Sequence, residues 1–290
     1  MENNLPEINS LWDYSNPAET EKKFTALLSE AEKSGDKDYL VQLITQIART
    51  QGLQMKFDEA HKTLDKALKM LDTDTQLGEV RYMLERGRVY NSSKHSDEAR
   101  KFFIEAYQKA MERGFDSYAV DAAHMMGIVE KGDESLKWNE IAIKDAEESK
   151  DEKARNWLGS LYNNTAWTYF DMKNLDKAME LHQKNVEWHS QKGSVKETLI
   201  ARWSVARILR EMGKYQEALN AQMKLMEETE GKKLKEDGYG YEEIAENLYL
   251  LGRIEESKPY FKKAYDLLSK DIWLAEYEKD RLDRLNKMSQ

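Results

Sequence analysis

The chain has 290 residues, of which 34% are charged, 40% hydrophobic and none cysteine, with 14 glycines, 3 prolines and a formal net charge of −9. So little turn chemistry excludes a β sandwich or barrel and favours long helices, while 7 Trp and 15 Tyr give it core area that a disordered chain lacks. The acid excess disfavours nucleic acid and anionic membrane surfaces as partners, and the lack of cysteine removes disulfides, thiol nucleophiles and thiolate metal sites.

Residues 1–16 open on Met-Glu-Asn-Asn and hold no apolar stretch of signal-peptide length. No run approaches the roughly 18 apolar residues of a membrane span, so a cytoplasmic protein is expected. Asn16, Pro17 and Glu19 read as N-cap, first helical residue and capping-box acid of a helix over 17–35 that ends near Gly35 and caps the N-terminal end of the fold.

Residues 40–270 carry a repeat. A small residue is followed twelve positions later by a second small one, and then, four and seven positions on, by a medium-sized or aromatic residue and a small one. The copies are Ala48, Ala60, Leu64, Ala67; Gly87, Ala99, Phe103, Ala106; Ala123, Ser135, Asn139, Ala142; Ala166, Ala178, His182, Asn185; Ala206, Ala218, Gln222, Leu225; and Ala245, Ser257, Phe261, Ala264. Antiparallel helices approach to about 8–10 Å only where neither presents bulk, so the small residues mark crossing points of about six helical hairpins. Gly213 and Gly252 stand where the first helix of a hairpin must stop, and polar residues are expected there in the other copies. GYGYEE, residues 238–243, comes after the charged linker GKKLKED and reads as an inter-repeat turn, and Pro259 reads as a first-turn residue of its helix. A last helix over 271–288, with Ile272, Ala275, Leu282 and Leu285 on one face, caps the C-terminus.

The six copies, with Tyr90 and Tyr169 three residues after the first small position, resemble the tetratricopeptide repeat. The stretch from LWDYSNPAETEKKF through QIARTQGLQMKFDEAHKTLDKA also resembles an uncharacterised bacterial tetratricopeptide family. The resemblance implies an all-α fold, an α-solenoid wound as a right-handed superhelix, spanning 1–290 as a single domain. The second small residues are spaced by 39, 36, 43, 40 and 39, against about 34 in the ordinary repeat, so longer helices and inter-hairpin turns are expected.

No chemistry-bearing motif emerges: glycine-rich phosphate loops and His-Glu-x-x-His helices are absent. His182 and His189 lie two helical turns apart, too far to share one metal ion. His182 occupies the position of Phe103 and Phe261 and reads as packing, as do Met125 and Met126. No catalytic residue, metal or cofactor is therefore assigned, and the chain is not expected to be an enzyme.

In such a solenoid the first helices line a concave groove. The residue after each small position is expected to face it, with neighbours a turn to either side. This phase selects Gln46, Arg49, Arg88, Asn91, His124, Asn163, Asn164, Trp167, Phe170, Trp203, Arg207, Arg210 and Tyr249 as the ligand groove. Guanidinium forks, amides and flat rings suit an extended peptide or partner segment with an acidic or carboxylate element. The layout is similar to the tetratricopeptide clamp that holds a C-terminal carboxylate, with Arg in place of its Lys and Asn164 as the only Asn at the corresponding position. The competing use is internal, with the arginines paired to Glu85, Asp121 and Glu211. The expected function is a protein-interaction scaffold. Its alternatives are a regulator whose curvature changes on binding a small peptide or metabolite, and an enzyme with an unrecognised site.

Overall fold

The structure is a computed structural model that describes residues 5–232, 234 and 236–290, with Ile272 and Trp273 described by their backbone alone. The expectations for residues 1–4, for Lys233 and Lys235 of the charged linker, and for the side chain of Ile272 lie outside the described residues.

Every regular element among the described residues is helical. A 3-10 turn, Ile8–Leu11, precedes the capping helix α1, Pro17–Ser34. Three hairpins come next: α2 (Lys37–Leu53) with α3 (Phe57–Leu68), α4 (Gln76–Ser92) with α5 (Ser96–Arg113), and α6 (Asp116–Val129) with α7 (Gly132–Glu148). After the short α8, Glu152–Arg155, come α9 (Leu158–Asp171) with α10 (Leu175–Gln191), α11 (Val195–Glu211) with α12 (Tyr215–Gly231), and α13 (Gly238–Leu250) with α14 (Ile254–Leu268). α15 (Ile272–Tyr277) and α16 (Lys279–Met288) close the chain. Residues up to Leu161 form one compact unit and Tyr162–Gln290 a second.

The small residues sit at the crossings. Ala48, Ala123, Ala166, Ala206 and Ala245 on the first helices are fully buried, as are Ala60, Ala99, Ala178 and Ala218 on the second. At Gly87 even a methyl group would not fit, since a β-carbon there would lie 2.5 Å from Cε1 of Phe103. Hairpins close on a left-handed residue seven after the first small position. It is Gly213 or Gly252 in two copies, Lys94 or Lys173 in two others, and Met55, which is apolar, in the first. The third copy departs from this closure: Glu130 is extended and Gly132 takes the positive φ. The longest spacing, between Ser135 and Ala178, is where α8 is inserted.

Four local expectations are corrected. The capping box is half formed: Asn16 accepts from the Glu19 amide, but the Glu19 carboxylate is drawn to Lys22, and the Asn16 amide bonds the Asp13 carbonyl instead. GYGYEE is the first turn and a half of α13, capped by Asp237, because Gly238 packs so closely on Leu268 that no side chain would fit. Pro259 is the sixth residue of α14, since that helix starts at Ile254, and the absent amide proton leaves the Glu255 carbonyl without its helical donor. The terminal helix is broken at Glu278. On one straight helix Leu274 and Leu282 would point about 80° apart; the break lets both, with Leu285, pack on Phe261 and Ala264.

Candidate functional site

The repeat sets a rule of charge on the first helices. The residue after one small position meets the residue two before the next small position. In the first unit Arg49 reaches Glu85 at 3.0 Å and Arg88 pairs with Asp121, while Arg88 also holds Glu85 of its own helix at 2.9 Å. In the second unit Arg207 reaches Glu243 at 3.1 Å and Arg210 joins it at 2.8 Å. The last helix continues the pattern, with Arg281 on Glu242 and Arg284 on Glu246.

These pairs are partly desolvated, and two carboxyls record it with opposite sign. Burial pushes Glu85 up, but the guanidinia of Arg49 and Arg88 hold it below the ordinary carboxylate range. Burial wins at Glu243, which is raised despite Arg210 and Arg207.

In the first unit the chain's own N-terminal residues cover the expected groove. The Trp12 indole donates to Oε1 of buried Gln46 at 3.0 Å, and Gln46 in turn donates to Glu85. Arg49 lies 5.8 Å from the Trp12 ring centroid and 5.7 Å from that of Tyr14. Arg81 bonds Asn9, the Tyr39 hydroxyl donates to the Pro6 carbonyl, and Lys153 pairs with Glu7. Asn91 is half-buried in the last turn of α4. His124 tilts against Trp157 at 5.5 Å, and its Nδ1 is buried with no partner among the described residues. Burial and the Arg88 charge lower its pKa, against the pull of Asp121. Three residues before the small position, Thr45, Leu84 and Val120 are buried, whereas Asn163 and Trp203 at the same position of the second unit are half-buried.

α9 lacks the charge pattern. The position that carries an acid on α4, α6 and α13 holds Asn164, which is exposed, and the position that carries an arginine on α2, α4 and α11 holds Trp167, which is half-buried. Asn163 donates to Oδ1 of Asn164 at 3.2 Å. Trp167 stands edge-on to Phe170, His182 and, more tilted, Trp203. Arg207 lies 5.2 Å from the Phe170 centroid. Tyr249, on α13, is 38% exposed.

Sequence reasoning found Arg49, Arg88, Arg207 and Arg210 but not that residues 5–16 would pack on their helices. The signal available was the spaced apolar and aromatic residues Leu5, Ile8, Leu11, Trp12 and Tyr14 ahead of Pro17. No cluster of three or more His, Cys, Asp or Glu side chains able to hold a metal occurs among the described residues, and none of their helices is long and apolar enough to cross a membrane.

No family model matches the chain, and no curated protein matches it. Several solved structures are similar to it. The STAND protein with a tetratricopeptide repeat sensor, PH0952 from Pyrococcus horikoshii, superposes with a TM-score of 0.72 at 17% identity over 93% of this chain and 42% of that one. The chain therefore spans less than half that protein's length. The apo form of RapI gives 0.73 at 14% identity, covering 97% of this chain and 84% of RapI. The apo quorum sensor NprR from B. thuringiensis gives 0.57 at 15% identity, with 96% and 78% covered. These likenesses establish the fold: the chain is an all-α, tetratricopeptide-like helical repeat protein.

Proposed function

We propose that the chain is a cytoplasmic interaction module that holds a peptide or partner segment on the first-helix face of its second unit, at Asn163, Asn164, Trp167 and Phe170. One observation carries this reading: the Arg-to-acid pairing that satisfies the other first helices of this unit is interrupted on α9, where amides and half-buried rings stand in its place. Amides can pair with a peptide backbone, and flat rings offer contact area at low entropic cost. An acidic element would bind at Arg207, whose side chain is partly exposed beside the Phe170 ring, in competition with Glu211 and Glu243. Two of the similar structures are described as sensors, which suits a ligand-holding repeat. The reading assigns no catalytic role.

Arg88 is not part of this site. It is held between Glu85 and Asp121, so Arg88→Glu would set three carboxylates together and test stability more than binding.

The test is selection of random dodecapeptides on the full chain, followed by affinity measurement on variants with wild-type circular dichroism. Phe170→Ala and Asn164→Ala should each weaken a selected peptide about tenfold, and Arg207→Ala should weaken acidic peptides selectively. Failure to enrich any peptide, or equal affinity for wild type and both α9 variants, would overturn the proposal.

A further inference from the structure

Residues 5–16 cover the first-helix face of the first unit but leave one charge on it unmatched. Arg81, on α4, is 5% exposed, and among the described residues no carboxylate stands within salt-bridge distance of it. Its guanidinium donates instead to two neutral amides, to Oδ1 of Asn9 at 3.0 Å and to Oε1 of Gln42 at 3.2 Å, and its Nε is buried without an acceptor. Gln42 is turned this way because its own Nε2 donates to Asp38 at 2.7 Å. Glu7 of the covering segment pairs with Lys153. Buried charges are ordinarily paired, so Arg81 is a cation held under a segment that brings it no anion.

The segment is lightly held. Within it only Ile8 is buried, in the cluster of Phe24, Leu43 and Ile47. Trp12 is half-buried, Tyr14 is 62% exposed, and Asn9, which meets Arg81, is itself exposed. Its contacts nevertheless follow a recognition pattern. Ile8 is an apolar anchor, Asn9 meets the guanidinium, and the rings of Trp12 and Tyr14 stack at 4.6 Å beside Arg49, with the Trp12 indole donating to Gln46.

We propose that this face is a docking site for a partner segment with the same Ile-x-x-x-Trp-x-Tyr spacing and a carboxylate in place of the Asn9 amide. Residues 5–16 are its tethered, weaker stand-in. The partner's carboxylate replaces Asn9 Oδ1 on Arg81, which turns a neutral acceptor into a charge-assisted one. Its indole donates to Gln46, and its two rings stack beside the Arg49 guanidinium. The site shares no residue with the α9 face, so either assignment can fail alone.

The experiment is fluorescence anisotropy of two labelled peptides, LPEINSLWDYSN, which is residues 5–16, and the same peptide with Asn9→Asp. Each is titrated with the wild-type chain and with Trp12→Ala, whose own segment is loosened. Trp12→Ala should bind the acidic peptide about fivefold more tightly than the parent peptide, the margin of a charged over a neutral hydrogen bond. The wild-type chain should bind either peptide about tenfold more weakly than Trp12→Ala, because its tethered segment competes. Arg81→Gln, added to Trp12→Ala, should erase the preference for the acidic peptide. If that double variant fails to fold, Asn9→Asp in the otherwise wild-type chain decides: it should raise the urea midpoint and weaken capture of the acidic peptide further, and no change in either overturns the proposal. So does a lack of saturable binding to Trp12→Ala, equal affinity for the two peptides, equal affinity of the two chains, or an acidic preference that survives Arg81→Gln.

Discussion

Glu85 in the first unit and Glu243 in the second occupy the same repeat position, are equally buried at 5% side-chain exposure, and each lie between two arginines of matching exposure. Yet Glu85 is held below the ordinary carboxylate range and Glu243 is raised above it. The difference begins with the arginines themselves: Glu85 accepts hydrogen bonds from both Arg49 and Arg88, Glu243 from Arg210, with Arg207 at ion-pair distance. Glu85 also accepts from Gln46, while Glu243 adjoins Glu242, a like charge that disfavours ionisation. An ion pair repeated by sequence periodicity is therefore not repeated in energy: burial costs both carboxyls, and only one is fully compensated.

Removing each carboxylate tests the comparison most severely. Glu85→Gln should cost about 3–5 kcal/mol at pH 7, because Arg49 and Arg88 stay behind partly buried, and Glu243→Gln less than half of that, by urea denaturation. Acid sharpens the contrast. A depressed folded pKa gives stability that is present above the ordinary 4.5 and lost as pH falls through the lower folded value, so the Glu85→Gln deficit should shrink below pH 4.5. Glu243 has the opposite sign: its strain is relieved as pH falls through its raised value. Equal costs for the two variants, or equal acid responses, would break the comparison.

A second contrast lies between His182 and the phenylalanines at its repeat position. Burial drives the fully enclosed His182 from its ordinary 6.5 down to about 4, and both ring nitrogens lack partners among the described residues. The unfolded chain takes up the proton first, so stability should fall as pH drops from about 6.5 to about 4 and then level off. His182→Phe should flatten that slope and stabilise the protein by about 2 kcal/mol at pH 5, measured as the pH dependence of the denaturation midpoint. A slope that survives the substitution would place its source elsewhere.

The smallest effect concerns the N-terminal residues that only the first unit carries. Trp12→Phe keeps the ring but removes the donor to Gln46, and should cost about 1 kcal/mol while raising proteolytic cleavage in residues 5–16. Unchanged cleavage would mean that Arg49, Arg81 and Lys153 suffice to hold that segment.

Much of the fold was legible because small residues at crossings recur with a fixed spacing, and six in-phase copies specify six hairpins whatever surrounds them. The helix starting at Pro17 and the turns at Gly213 and Gly252 were legible for the same local reason: capping and positive φ are properties of a few adjacent residues. The residues expected to line a groove lie on first helices, but the pairing of their charges was not readable, because Arg49 and Arg88 are neutralised by residues of the same chain 36 and 33 positions away. The charge rule that pairs them was written in the repeat, and its interruption at Asn164 and Trp167 needed only the phase. The broken last helix, the Trp12 contact with Gln46 and the burial of Arg81 beside Asn9 were decided by tertiary structure alone. Each depends on which distant side chains fill or leave a shared volume, and close packing of that kind has no local signature in sequence.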